Sequence, residues 1–344
     1  MKARDDSTFM RVDHIPESPT ISGDEYLDNV ELQLGGEGAE PKARTQWQLF
    51  RRRFVQHKMA VVGLVVLVLL IIACFGADWI APYDRNEQNL AAATESPSLD
   101  HLMGTDRLGR DLLTEILYAG QVSLSIGLAV AFFSTIFGTL VGSFAAYFGR
   151  GVDQLLSRIT DLFLVVPALL VAATALSYVR TNEQFLWWDV GDKFLGITID
   201  VKVAMIAILA FLSWTYIARI VRGQVLSLKE KEYVEAARAG GASNRRIIFR
   251  HILPNSIGVI TVNATLAIAV AIVAEATLSF LGFGLPPPNF SWGYLIYDAR
   301  GTVGTANAYL LYFPGLMLLI TVLCVNFLGD GLRDAFDPHG RQEL

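Results

Sequence analysis

EAARAGGASNRRIIFRHILP, residues 235–254, is a charged, alanine-rich and glycine-broken stretch in a chain that is otherwise largely apolar. Apolar runs flank it, 201–222 on one side and 257–280 on the other. A mostly polar segment between two such runs makes sense only once the polarity of the whole chain is settled.

The 344 residues are 53% hydrophobic and 18% charged, with a mean hydropathy of +0.42. Soluble domains of this size carry about 25% charged residues, so the composition points to a membrane protein. The net charge of -5 says little, because the acid is concentrated in one tail and at one membrane face. Cys74 and Cys324 both fall in apolar runs. They are too few for a disulfide scaffold or a metal cluster and read as small buried hydrophobes.

Six apolar segments are long enough to be spans: 59–80, 122–146, 160–178, 201–222, 257–280 and 306–328. Crossing roughly 30 Å of hydrocarbon takes about 20 helical residues. The fourth is the least regular, since it begins near Lys202 and ends in WTYIARIVR; a snorkelling lysine and interfacial aromatic residues make such ends tolerable. The first follows a long tail and lacks a small-residue cleavage pattern, so it reads as a retained span rather than a signal peptide.

Orientation follows from the basic residues. Arg44, Arg51, Arg52, Arg53 and Lys58 precede the first span, and 219–250 holds Arg219, Arg222, Lys229, Lys231, Arg238, Arg245, Arg246 and Arg250. The 81–117 loop has three Arg against seven acids, and 281–305 has Arg300 alone. Basic loops stay cytoplasmic, which puts both termini inside and 81–121, 179–200 and 281–305 outside.

Residues 1–45 read as a mostly disordered acidic extension, or as one holding a short docking helix around EYLDNVELQL. Residues 46–58 combine aromatic and basic side chains and read as an amphipathic interfacial helix or an irregular basic lead-in; 331–344 form a cytoplasmic tail. In the external loop HLMGTDRLGRDLL (101–113), Gly104 and Gly109 permit tight turns. Asp106, Arg107, Arg110 and Asp111 pair with one another or with a docking partner. A structural latch fits them better than a metal site from His101, Asp106 and Asp111, whose spacing is undistinguished. PPPNFSWG (286–293) reads as a rigid non-helical excursion. Trp187, Trp188 and Trp292 read as markers of the lipid–water boundary, or as substrate or partner contacts. Glu275 is the ionisable residue most clearly inside a span. Helix packing, a snorkelled contact and lining of a pathway all remain open for it, while Asp161 and Asp330 lie nearer cytoplasmic ends.

The chain contains no GxxxxGK[ST] phosphate loop, HExxH, CxxC or GxSxG, and its five histidines are scattered. No catalytic residue, metal site or cofactor site is therefore assigned. No basic region reads as a nucleic-acid face once the membrane charge asymmetry is accounted for.

The opening stretch now falls in a cytoplasmic loop, 223–256, between the fourth and fifth spans. KEKEYVEAARA has helix-forming residues, and small side chains at 236, 237 and 239 suit a helix that another body approaches closely. Gly240 and Gly241 break it, one of them left-handed. Ser243 caps a second short helix, NRRIIFRHI, and Pro254 begins the return into the bilayer. Such a hairpin is either a lever on the two spans or a passive connector.

EAARAGG followed by HILP resembles the EAA loop of ABC importer permeases. Glu235, Ala236, Ala237 and Gly241 match its core, and Ile252, Leu253 and Pro254 its distal end. FRRRFVQHKMAVVGL, APYD, HLMGTDRLGRDLL, SWTYIARIVRGQVLSLKEKEYVEAARAGGAS, EATLSFLGFGLPPPNFSWG, FPGL and NFLGDGLRDAFDP extend the resemblance over about residues 45 to 340. They are similar to the C-type permease subunit of dipeptide and oligopeptide importers. Nickel and glutathione importers share much of this pattern; the acidic first forty residues and WWDVGDKFLGITID depart from it.

The resemblance implies an all-α membrane protein of six transmembrane helices, the type I importer permease fold, with a cytoplasmic coupling-helix loop. It implies a homologous second permease, two ATPase subunits that bind ATP and Mg, an extracytoplasmic solute-binding protein and a peptide cargo. It also implies a bacterial-type cytoplasmic membrane, with Glu235 to Gly241 seated in a groove of an ATPase. The rival class, an ion-gradient-driven transporter, predicts inverted repeats and broken helices with polar residues at the midplane, neither of them clear in this sequence.

Overall fold

The computed structural model describes residues 46–186, 188–194, 197–198 and 200–336. The acidic extension expected over 1–45, Trp187 and the tail beyond 336 lie outside the described residues. The body of the protein is the unit Leu49–Leu344; of the other unit, Met1–Gln48, only the helical residues from Gln46 are described.

The long elements are α1 (Gln46–Gln56), α2 (Lys58–Phe75), α3 (Leu112–Phe148), α4 (Arg150–Val165), α5 (Ala168–Asn182) and α6 (Val201–Leu228). They continue with α7 (Glu232–Ala239), α8 (Asn244–Phe283), α9 (Trp292–Asp298) and α10 (Tyr309–Phe336). Two small antiparallel hairpins separate α5 from α6: β1 (Gln184–Phe185) with β2 (Trp188–Asp189), and β3 (Lys193–Phe194) with β4 (Ile197–Thr198). Among the described residues, five helices are long and apolar enough to cross a membrane, and six if the bent pair α4–α5 counts as one span.

α3 is the central pillar. Its 37 residues make it about 55 Å long, and it packs on α2, α6 and α8, while α10 closes the bundle against α2 and α8. It begins ten residues before the expected 122 because Asp111 caps it, accepting from the Thr114 N–H at 2.8 Å. Helices in a bilayer gain no hydrophobic drive from meeting one another, so close packing of small residues holds them. A side chain on Gly138 would stand 2.6 Å from the Trp214 carbonyl, and one on Gly142 2.3 Å from that of Ala218. The α3–α6 seam depends on their absence. Along α2, by contrast, Val62, Val65, Leu69 and Ile72 are exposed, as lipid-facing side chains are.

The third apolar segment, expected as one span over 160–178, is broken. Its helices meet at 79° because Pro167 brings no N–H and forces Val166 out of helical geometry, to φ -70°, ψ 129°. The opposite happens at 244–283, where a short helix followed by a separate span was expected. The structure has one continuous helix that widens into a π-turn over Ile247–Ile252, with Leu253 N–H bonding to Ile248 O. The wide turn makes room for the Pro254 ring.

Replacing Gly142 by Leu is expected to wedge α3 from α6 and lower the thermal midpoint in detergent by ~3–10 °C, the effect of an overpacked seam in a protein this size. The same change at Gly223, which has open space around it, is the control; equal midpoints would contradict the seam.

Candidate functional site

α6 runs without a break to Leu228, and after a turn at Lys229–Lys231 the chain enters α7. Glu232 and Glu235 occupy its first turn and Arg238 its last, the arrangement the helix dipole favours. One residue fastens it. Val234 is fully buried among Ile217, Val221, Val225, Ile247 and Ile252, a burial that stabilises the docked helix by about 1.5–3 kcal/mol. The opposite side of α7 is uncovered: Glu235, Ala236 and Ala239 are exposed and Ala237 is half-buried.

The helix stops in a Schellman motif. Ala242 N–H bonds to Ala237 O and Gly241 N–H to Arg238 O, both at 3.0 Å, with Gly241 at φ +78°, the left-handed position that favours glycine. Ser243 then caps α8, accepting from the Arg246 N–H at 3.4 Å. Two side-chain bonds tie the loop to the end of α3: Lys229 Nζ donates to Ala146 O at 3.1 Å, and Tyr147 Oη to Asn244 Oδ1 at 2.8 Å. The distal residues divide. Ile252 is buried under α7, Leu253 is half-buried and Pro254 is exposed. The exposed surface of α7 and its turn comprises Glu232, Tyr233, Glu235, Ala236, Arg238, Ala239 and the two glycines.

At the other end of the bundle, the 101–113 loop is a latch built from its own residues. Asp106 accepts from the backbone of Leu108 and Arg110 and pairs with the Arg110 guanidinium at 2.6 Å. Asp111 is buried, capping α3 and meeting His101 Nδ1 at 3.0 Å. Arg110 also faces buried Glu115 at 3.2 Å and the Phe290 ring at 5.4 Å. Arg107 is the exposed member of the four. The Tyr294 phenol, which lines one cavity with Asp106, Arg107 and Arg110, has its pKa raised above the ordinary value by burial and then by Asp298.

One expectation is corrected here. Trp292, placed at the lipid boundary or an external docking surface, is fully buried, with Nε1 donating to Ile116 O at 2.9 Å and its backbone N–H to Ser123 Oγ at 3.2 Å. The excursion 286–293 thus folds back into the bundle. Glu275 is fully buried, Ser123 and Ser279 donate to its carboxylate at 3.2 and 2.6 Å, and Ser291 donates to Ser279. Among the described residues, no cluster of three His, Cys, Asp or Glu suits a metal. The sequence reading missed Val234, Lys229, Tyr147 and Asn244 as the fastenings of α7; the lone β-branched residue in an alanine-rich helix was the available signal for the first.

The family of binding-protein-dependent transport system inner membrane components matches residues 138–342, a range that includes α7 and the helices on either side of it. The chain belongs to that family. This permease also matches, over residues 45–97, the N-terminal TM domain of oligopeptide transport permease C. It is 37% identical to the oligopeptide transport system permease protein OppC of Haemophilus influenzae, over 92% of this chain and 94% of the relative. To OppC of Mycobacterium tuberculosis it is 36% identical, over 84% and 94% respectively. A chain of the methionine ABC transporter MetNI, solved in inward-facing conformations, aligns with a TM-score of 0.50 and 22% identity, covering 65% of this chain and 97% of that one; this likeness shows the fold. The permease is a membrane component of a transporter, not an enzyme.

Replacing Glu275 by Leu is expected to strand the hydroxyls of Ser123 and Ser279 and destabilise the subunit by ~2–3 kcal/mol, with Gln retaining at least half of that because its carbonyl still accepts. Thermal unfolding in detergent reads the difference, and equal losses for Leu and Gln would contradict a hydrogen-bonded anchor.

Proposed function

We propose that this permease forms half of the translocation path of an ATP-driven importer of dipeptides and oligopeptides, working with a homologous second permease. The cargo class is supported by the oligopeptide permeases that resemble the chain over nearly its whole length. Two ATPase subunits supply ATP and Mg binding, and an extracytoplasmic binding protein delivers the peptide. The observation that carries the coupling role is the exposed face Glu235, Ala236 and Gly241 on a helix whose other side is clamped by Val234. A groove in an ATPase can approach that face closely because methyl groups and bare backbone project from it.

The α7 end of the bundle is cytoplasmic in this reading, as the basic residues of 219–250 require, and both termini lie there. Closure of the ATPase pair displaces α7, and because α6 and α8 flank it and are helical where they meet the loop, the displacement reaches two spans at once. The ATPase groove must bind α7 differently in its two states, since a ligand shifts an equilibrium only by its differential affinity. At the outer face, Arg107 is free to meet the binding protein while Asp106, Arg110 and Asp111 hold the latch.

Proteoliposomes containing the copurified complex, with binding protein outside and ATP within, are expected to take up labelled di- and oligopeptides, and a non-hydrolysable nucleotide to abolish uptake. ATP turnover stimulated by the binding protein without peptide uptake would contradict the cargo and point to nickel, glutathione or another small solute. Replacing Gly241 by Val strains a left-handed residue and disturbs the Schellman turn, and is expected to cut binding-protein-stimulated turnover about tenfold or more with the complex still assembled. Unchanged stimulated turnover would contradict the coupling assignment.

A further inference from the structure

Helix α4 is articulated at both ends. At its start Gly149 and Arg150 have φ of 62° and 43°, and nothing lies within 4 Å of where a Gly149 side chain would stand. At its end the Val166–Pro167 break bends the chain by 79°. Between these hinges Val152, Leu155, Ile159 and Leu162 are exposed on one face, while Asp153 and exposed Asp161 on the inward face reach α6 through arginines and Ser157 donates to Asp153.

The inward face is not packed shut. Cavities of about 200 and 450 Å³ lie along it; Gly142, Thr160 and Arg219 border the first, and Arg150, Gln154 and Arg158 the second. Charge spans the gap instead. Arg222 donates from Nε and Nη2 to the two carboxylate oxygens of Asp153 at 2.5 and 2.8 Å, and Arg219 donates to Asp161 at 2.7 Å. Both arginines belong to the last ten residues of α6, the helix from which α7 hangs.

We infer that Asp153–Arg222 and Asp161–Arg219 are a two-point latch that makes α4 travel with α6, so that displacement of α7 reaches a cavity-lining helix and sets how much transport each ATP drives. The inference rests on the importer reading above. Its physics is that of a clutch. Apolar packing across a seam this open cannot fix the register of α4, whereas a bidentate guanidinium–carboxylate pair fixes both distance and orientation. Arg150 and Arg158 border the same cavity one turn before Asp153 and Asp161.

The test uses the full transport complex with spin labels on exposed Gln154 of α4 and exposed Ser227 of α6. The wild-type separation is expected to be the same in nucleotide-free and ATP-trapped states. In D153N/D161N, which keeps the side-chain volumes, the separation becomes state-dependent, and solute taken up per ATP hydrolysed falls about tenfold. Exchanging charges, Asp153→Arg with Arg222→Asp, is expected to recover most of the coupling lost by either change alone. Coupling within about twofold of wild type in D153N/D161N, or a wild-type separation that differs between the two states, would overturn the latch. A wild-type complex that hydrolyses ATP in response to the binding protein but takes up no solute would overturn the importer reading itself, and the same uptake assay reports it without any variant.

Discussion

The burial of Val234 against Ile217, Val221, Val225, Ile247 and Ile252 is the contact on which the functional architecture depends. An eight-residue helix is far too short to be stable in water by itself, so α7 exists because α6 and α8 together offer it an apolar seat. The seat fixes its rotation, and the rotation decides that Glu235, Ala236 and the glycines face outward. With the Schellman turn at Gly241 and the bonds from Lys229 and Tyr147, the loop 229–244 becomes a rigid body instead of a tether. In the proposed function, a push on its exposed face is passed to the two membrane-length helices it joins.

The rest of the bundle solves a different problem, holding helices together where lipid competes for every apolar surface. Gly138 and Gly142 let α3 and α6 approach to backbone contact, and the buried set of Glu275, Ser123, Ser279 and Ser291 pins the returning segment 286–293 against α3 and α8. Polar groups in such a place are costly unless satisfied, and the paired ones are correspondingly specific. α4 stands apart from both devices: it is bent away from its neighbour at Pro167, bordered by cavities and joined to α6 by charge.

The sequence disclosed the lever more fully than the bundle. Small residues at 236, 237 and 239, the glycine pair and Ser243 are local signals, and a left-handed Gly241 and a Ser243 cap are local structures. The break at Pro167 was hidden because LFLVVPALLVAA is continuously apolar, so hydropathy ran straight through a proline that geometry could not. Trp292 was misplaced because a tryptophan after PPPNFS reads as interfacial, while its burial depends on Ser123, 169 residues away. Glu275 stayed open between packing and pathway for the same reason, since its partner Ser123 is distant in sequence and invisible to any local pattern.

The central claim is that the uncovered face of α7 seats in an ATPase. Its most direct measurement is crosslinking of Ala236→Cys, in the assembled complex, to single cysteines placed along the exposed groove of the ATPase subunit, with Tyr147→Cys at the side of the loop as comparison. The account predicts that Ala236→Cys crosslinks efficiently and that the preferred groove position changes between nucleotide-free and ATP-trapped states. Crosslinking no stronger than from position 147, or a pattern indifferent to nucleotide, would contradict it.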